Sequence, residues 1–152
     1  MSTNISLIKL FEEVEVLLDI KISSKKRLFE EIGFCIEAKY GVPRSETYEA
    51  LFAREKLGST NIGHGVALPH GRLEQLKRFV GVFARLENPI QFESGDNKPI
   101  QMVFVLLTPK IKQQNQHLAY LAHLARIFSE HLVRDKLLNT HDKTEVLALL
   151  EK

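Results

Sequence analysis

The sequence predicts a single layered α/β domain, and three observations carry that reading. Two amphipathic helical segments come early in the chain. A nearly all-apolar run, Ile100 to Leu107, sits in the middle and reads as a central strand covered on both faces. Helical periodicity then returns and continues to the C-terminus. At 152 residues the chain has the length of one domain, 1–152. Folding at that size buries roughly two-thirds or more of the unfolded chain's surface, enough for a core without covalent staples.

The elements follow in order. Ser23 and Ser24 offer N-caps for a helix running to about Tyr40. Leu28, Phe29, Ile32, Cys35 and Ile36 make its apolar face, and Gly41 before Pro43 ends it. Gly33 within that helix costs about 1 kcal/mol against alanine. Ser45 is the expected cap of a second helix, with Tyr48, Leu51 and Phe52 on one face and Gly58 as its stop. Arg54 falls near the end of it.

Val66 to Leu68 reads as a short buried strand. Phe79 to Glu87 alternates like a half-buried strand, and Ile90 to Phe92 reads as a short separate one. Ser94 to Pro99 is turn chemistry, Pro109 closes the central strand, and Lys110 to Asn115 is a polar loop. A long helix is expected from about Gln116 to Glu130, with His117, Leu121, Leu124 and Phe128 on one stripe. Val133, Leu137 and Leu138 mark a short helix, and Asp142 with Glu145 three residues on opens a last one through Leu150. No repeat, low-complexity tract or flexible linker divides the chain.

Composition removes several classes of function. Apolar residues make up 44% and charged residues 26%, as in ordinary globular proteins rather than disordered ones. With 21 basic and 19 acidic residues, the net charge of +2 gives no argument for nucleic acid or anionic lipid. One cysteine, Cys35, rules out an internal disulfide framework and a cysteine-clustered zinc site, and its place on an apolar helix face suits a buried, inert thiol. The first twenty residues carry acidic side chains inside their apolar pattern, unlike a signal peptide. No apolar run approaches the ~20 residues that span a bilayer, so membrane insertion is not expected and a cytoplasmic location is.

The segment richest in chemistry is Gly63-His64-Gly65-Val66-Ala67-Leu68-Pro69-His70-Gly71-Arg72. Pro69 has no N–H to offer a ladder, so the chain is expected to leave the sheet as His70 appears. Gly71 lacks a Cβ, which lets another group approach the backbone closely. Two readings of Pro69-His70-Gly71 stay open on these residues alone. It is an ordinary turn, or it holds an imidazole rigidly at a strand end as a nucleophile or proton carrier.

Other constellations are weaker. His64 and His70, like His117 and His123, are six residues apart, which on a helix points them to different faces, and no cysteine or carboxylate cluster completes a metal shell. No metal site and no cofactor is expected. The phosphate-binding loop Gly-x-x-x-x-Gly-Lys-Ser/Thr and the Gly-x-Ser-x-Gly elbow are both missing from the sequence. Gly58-Ser59-Thr60-Asn61-Ile62-Gly63 is rich in small residues, and its backbone N–H groups could face an anion, or it is a plain connection. His117 taken alone is a core histidine or a functional one, and Arg54 a solvated helix residue or a functional one.

Two runs, Leu51-Phe52-Ala53-Arg54-Glu55-Lys56-Leu57-Gly58-Ser59-Thr60 and Gly65-Val66-Ala67-Leu68-Pro69-His70-Gly71-Arg72, resemble the phosphotransferase-system IIA domains of the mannitol/fructose type, and within them the nitrogen-regulatory branch. Ile100 to Pro109 resembles that family's central strand, and the His117-Leu118 helix start fits its second histidine. The resemblance covers nearly the whole chain. Val66 and Leu68 stand where many members carry isoleucine, while His64 and the Lys112 to Asn115 loop match no family motif.

The resemblance implies an α/β sandwich with a mixed sheet flanked by helices. It implies that His70 carries a phosphoryl group on Nε2, that His117 is the second active-site histidine and that Arg54 is the active-site arginine. From placement beside them, Ser59, Thr60 and Gly63 are candidate phosphoryl-binding residues. The implied donor is a small histidine-containing phosphocarrier charged from phosphoenolpyruvate, and the implied targets are proteins such as potassium transporters or sensor kinases. No sugar-specific IIB or membrane IIC segment is seen in the sequence, which favours regulation by phosphorylation state. A transport IIA domain handing phosphate to a separate IIB protein, and a binding module without phosphorylation, are the alternatives.

Overall fold

The structure, a computed structural model, describes residues 13–92, 98–110 and 115–151. Within them the chain forms a six-stranded mixed sheet between two helical layers. Of the expected turn and loop, residues 94–97 and 111–114 lie outside the described residues.

The first strand, β1 (Glu15–Ile20), was not foreseen in the sequence, although Glu13-Val14-Glu15-Val16 alternates with a period of two. It pairs in parallel with β5 (Val80–Ile90). Helix α1 (Lys25–Tyr40) then opens at Ser24, whose side chain accepts the Arg27 N–H at 3.1 Å, and closes at Gly41 in the left-handed conformation (φ 74°). Gly33 has a packing reason: a Cβ there would stand 2.9 Å from the carbonyl oxygen of Arg44, so its absence lets the next helix cross closely. Cys35 is half-buried rather than fully enclosed.

Helix α2 (Arg44–Glu55) starts one residue before the expected cap. Pro43, extended at ψ 132°, takes the cap position without a side-chain bond, and the Glu37 carboxylate accepts the freed Arg44 N–H at 3.2 Å. Ser45 is therefore inside the first turn. Two short strands follow, β2 (Asn61–Gly63) and β3 (Val66–Ala67), as an antiparallel hairpin. Its connecting residues, His64 and Gly65, both have positive φ (58° and 78°), as a tight hairpin turn of matching twist requires.

The chain does not leave the sheet at His70. β3 pairs in parallel with β6 (Ile100–Thr108), and β4 (His70–Arg72) resumes that pairing, His70 beside Leu106 and Gly71 beside Leu107. Pro69 interrupts without ending it, because its carbonyl still accepts the Leu106 N–H at 3.0 Å. Sheet order is β1-β5-β6-β3-β2, with β4 also on β6.

β5 and β6 are antiparallel and central. β5 is one strand through Ile90 and is buried from Val80 to Leu86, where alternation suggested a half-exposed strand and a separate short one. Helices on both sides explain this. Phe83, Met102, Phe104 and Leu106 pack under α3 (Asn115–Phe128), α4 (His131–Asn139) and α5 (Lys143–Glu151), while Val82, Ala84, Val103, Val105 and Leu107 pack under α1 and α2. Asp142 caps α5 as expected, accepting the Thr144 N–H at 2.9 Å. No helix among the described residues is long and apolar enough to cross a membrane.

Candidate functional site

The site is built where α2 meets β4. A Cβ on Gly71 would lie 3.1 Å from the Ala50 Cβ and 3.2 Å from its carbonyl oxygen, so the close approach that Gly71 permits is filled by the chain's own helix. Arg54 is one helical turn beyond Ala50, and that contact delivers it to His70. Strand alternation turns His70 away from Gly71, toward the layer of α3. His117, in the first turn of α3, is close enough for its charge to act on His70.

Both ring nitrogens of His70 are engaged. Nδ1 is 2.9 Å from the Leu68 carbonyl, which can only accept, so the ring hydrogen is on Nδ1. Nε2 then carries the lone pair, and it accepts from Arg54 Nε at 3.1 Å. The same guanidinium donates through Nη1 to the Gly58 carbonyl at 2.8 Å. Burial drives the His70 pKa below the ordinary 6.5; the Leu68 bond opposes this, and the charges of Arg54 and His117 add to the lowering. The ring is thus a neutral imidazole at pH 7, in one tautomer, with its nucleophilic nitrogen against a cation.

The loop after α2 is wired internally. Thr60, buried, donates its hydroxyl to Glu55 Oε1 at 2.8 Å and its N–H to Oε2 at 3.3 Å. Gly63 N–H donates to Asn61 Oδ1 at 2.7 Å, and Asn61 N–H to the exposed Ser59 hydroxyl at 3.2 Å. Hence the N–H groups of Thr60 and Gly63 serve the loop, and the expected cradle of free donors at those two positions is not there. The structure brings together His70, Arg54 and His117, and sets Ser59 and Thr60 in the segment that Arg54 grips.

Glu55 was passed over in the sequence. The signal was present in its spacing: Thr47, Leu51 and Glu55 recur every four residues, and all three are buried. A carboxylate on the inward stripe needs partners, and Lys25 Nζ at 3.4 Å supplies a further one.

The other histidines stand elsewhere. His64 is exposed at the hairpin tip, His131 pairs with Asp135 one turn on, His141 is 3.8 Å from Asp19, and His123 meets the Leu150 carbonyl at 3.1 Å. Among the described residues no group of three or more His, Cys, Asp or Glu could hold a metal ion.

Known proteins share this sequence and architecture. Residues 9–152 match the family described as phosphoenolpyruvate-dependent sugar phosphotransferase system, EIIA 2. A nitrogen regulatory protein of Bradyrhizobium diazoefficiens is 38% identical over 135 residues, covering 89% of this chain and 88% of its own. The crystal structure of nitrogen regulatory protein IIA-Ntr from Neisseria meningitidis is 40% identical, with a TM-score of 0.88 over 93% of this chain and 99% of its own. The mannitol IIA structure from Escherichia coli, 24% identical, shares the fold with a TM-score of 0.73 over 90% and 95%. By sequence and by fold, this chain belongs to the EIIA 2 family of the phosphoenolpyruvate-dependent sugar phosphotransferase system and is a phosphotransfer component of the IIA type.

Proposed function

We propose that this chain accepts a phosphoryl group on His70 Nε2 from a histidine-containing phosphocarrier, charged in turn from phosphoenolpyruvate. Its phosphorylation state would then regulate partner proteins in a nitrogen-regulatory phosphotransferase system. One observation carries the reading: His70 presents a single tautomer, with Nδ1–H on Leu68 and the Nε2 lone pair beside Arg54.

That arrangement suits in-line transfer between two imidazoles. The Nε2 lone pair attacks phosphorus as the donor's own P–N bond breaks, and the donor leaves as a neutral imidazole. No proton needs to move, because Nδ1 keeps its hydrogen on the Leu68 carbonyl throughout. Arg54 must first release Nε2, and it remains beside the equatorial oxygens, where negative charge gathers. Its bond to Gly58 holds the guanidinium near while Nε changes partner. His117, whose charge reaches His70, would donate to the same group, and Ser59, exposed in the loop after α2, would be a further donor.

The regulatory output is supported by the nitrogen-regulatory relatives. Potassium transporters and sensor kinases are the proposed classes of target, the cytoplasm the proposed location, and residues 1–152 one functional unit.

The test mixes the protein with phosphoenolpyruvate, the upstream enzyme and the small carrier, then weighs it intact. The wild type should gain one acid-labile phosphoryl group and His70→Ala none. A phosphorylated His70→Ala protein, or an inert wild type beside an active upstream chain, overturns the assignment. Rapid loss of the group to a purified IIB domain would turn the output from regulation to sugar transport.

A further inference from the structure

We propose that Glu55 is a positioning residue of the phosphoryl site, holding the His70 ring from both of its nitrogens through the loop that follows α2. The proposal rests on the reading of His70 as the phosphoryl acceptor. It begins from an oddity of burial. The Glu55 side chain is 3% exposed, and a carboxylate is kept in such a place only when its bonds repay the loss of water.

Those bonds lead to His70 by two routes. On one, Glu55 grips Thr60 at both its hydroxyl and its N–H. The Thr60 carbonyl accepts the Leu68 N–H at 2.9 Å. The Leu68 carbonyl takes the Nδ1–H of His70, also at 2.9 Å. Carboxylate, threonine, leucine and imidazole thus form one chain of hydrogen bonds ending on the atom that selects the tautomer. On the other route, the neighbouring Arg54 holds Gly58 and caps Nε2. Gly58 lies two residues before Thr60, so the carbonyl that steadies the guanidinium belongs to the segment Glu55 pins.

Chemistry explains why a carboxylate suits the place. It has two oxygens that only accept, so it takes the Thr60 hydroxyl and N–H together and keeps a lone pair for Lys25, whose Nζ is 3.4 Å away. Charge-assisted bonds of this kind are about twice as strong as neutral ones. Glutamine has one accepting oxygen on its amide and must drop a partner.

A Glu55 that only stabilised the fold, or acted on His70 through its charge alone, would leave the tautomer of the ring as it is. The test therefore reads His70 itself, by the imidazole 15N shifts of the unphosphorylated protein, together with the kinetics of phosphoryl acceptance. Thr60→Val removes the hydroxyl bond and keeps the shape; Thr60→Ser keeps the hydroxyl; Glu55→Gln removes the charge. With Thr60→Val and Glu55→Gln, His70 should pass from one neutral tautomer to a mixture. Their kcat for acceptance should fall about tenfold or more, as for a misplaced reacting group, with the KM for the carrier within about twofold. Thr60→Ser should restore both readouts.

Thr60→Val with a wild-type tautomer and kcat, whatever its melting temperature, overturns the proposal. Should Glu55→Gln not fold, the threonine pair decides alone. Should the wild type never accept phosphate, the proposed function fails while the tautomer measurement still decides whether Glu55 positions the ring.

Discussion

Arg54 and Arg85 are two arginines of one small protein, held in contrasting ways. Arg85, on β5, is 2% exposed and reaches into the layer of α3 to α5. Its guanidinium grips Asp19 by two bonds (Nε to Oδ1 at 2.9 Å, Nη2 to Oδ2 at 3.0 Å) and donates through Nη1 to the carbonyls of Leu137 and Thr140 at 2.9 and 2.6 Å. Asp19 itself sits in a strand irregularity with φ 58°, a conformation aspartate tolerates, and this turns its carboxylate to Arg85. Among the described residues, no carboxylate pairs with Arg54. Its bonds go to a backbone carbonyl and to a neutral imidazole nitrogen. One arginine has its charge matched within the fold. On the proposed function, the other keeps its charge for a phosphoryl group that comes and goes.

Removing Arg54 gives the larger effect on chemistry. Arg54→Ala should slow phosphoryl acceptance about 10² to 10³-fold, the usual loss when a donor to developing negative charge is deleted. Its folding stability should hold within about 1 kcal/mol, because the lost bonds are one to an exposed loop and one to a half-buried ring. Arg54→Lys keeps the charge and loses the fork, and should recover part of the rate. Stopped-flow acceptance kinetics beside urea unfolding checks both halves. A variant that transfers normally and unfolds easily would make Arg54 a second Arg85.

Arg85→Met should do the reverse. It leaves the Leu137 and Thr140 carbonyls without their donor, at about 1–3 kcal/mol each if they stay dry, so a loss of about 3 kcal/mol is expected. Urea unfolding measures it. While the variant is folded, phosphoryl acceptance should run at the wild-type rate. A fall in rate without a fall in stability would show that the two arginines are coupled through the sheet.

The contrast itself was hidden in the sequence, where nothing singled out Arg85, but much of the fold was legible, and what was hidden has physical reasons. α1, the C-terminal helices and the central strand announce themselves by periodicity and caps, because local rules decide them. β1 was missed because its alternation is short and broken by Leu17 and Leu18, and it becomes a strand only by pairing with β5, more than sixty residues away. The hairpin around His64 hid behind two positive-φ residues that no hydrophobic pattern marks. For the site, His70 stood out by its Pro and Gly neighbours, while Arg54 and His117 needed the family resemblance to be chosen. Glu55, despite its place on the inward stripe, and the Leu68 carbonyl went unread for different reasons. A charged helix residue defaults to solvent, and a backbone carbonyl has no letter in a sequence.

The smallest effect sharpens the contrast most. Burial, with the Arg54 and His117 charges behind it, holds the His70 pKa below 6.5, so an NMR titration should place its midpoint under that value. The sign for stability follows. Between the unfolded value and the lower folded one, the unfolded chain takes up the proton first. The contribution of His70 is therefore present above about pH 6.5 and is lost as pH falls through the folded midpoint. Taking away Arg54 removes a nearby positive charge, so Arg54→Ala should move the midpoint upward, though still short of 6.5, because burial is the larger cause. Arg85→Met should leave it in place, since Arg85 has no part in setting it. A midpoint at or above 6.5 in the wild type would mean that His70 is not the half-buried, neutral imidazole that the proposed function needs. Equal shifts in the two variants would erase the distinction between the arginines, because the charge of Arg85 would then be felt at the site rather than spent on Asp19.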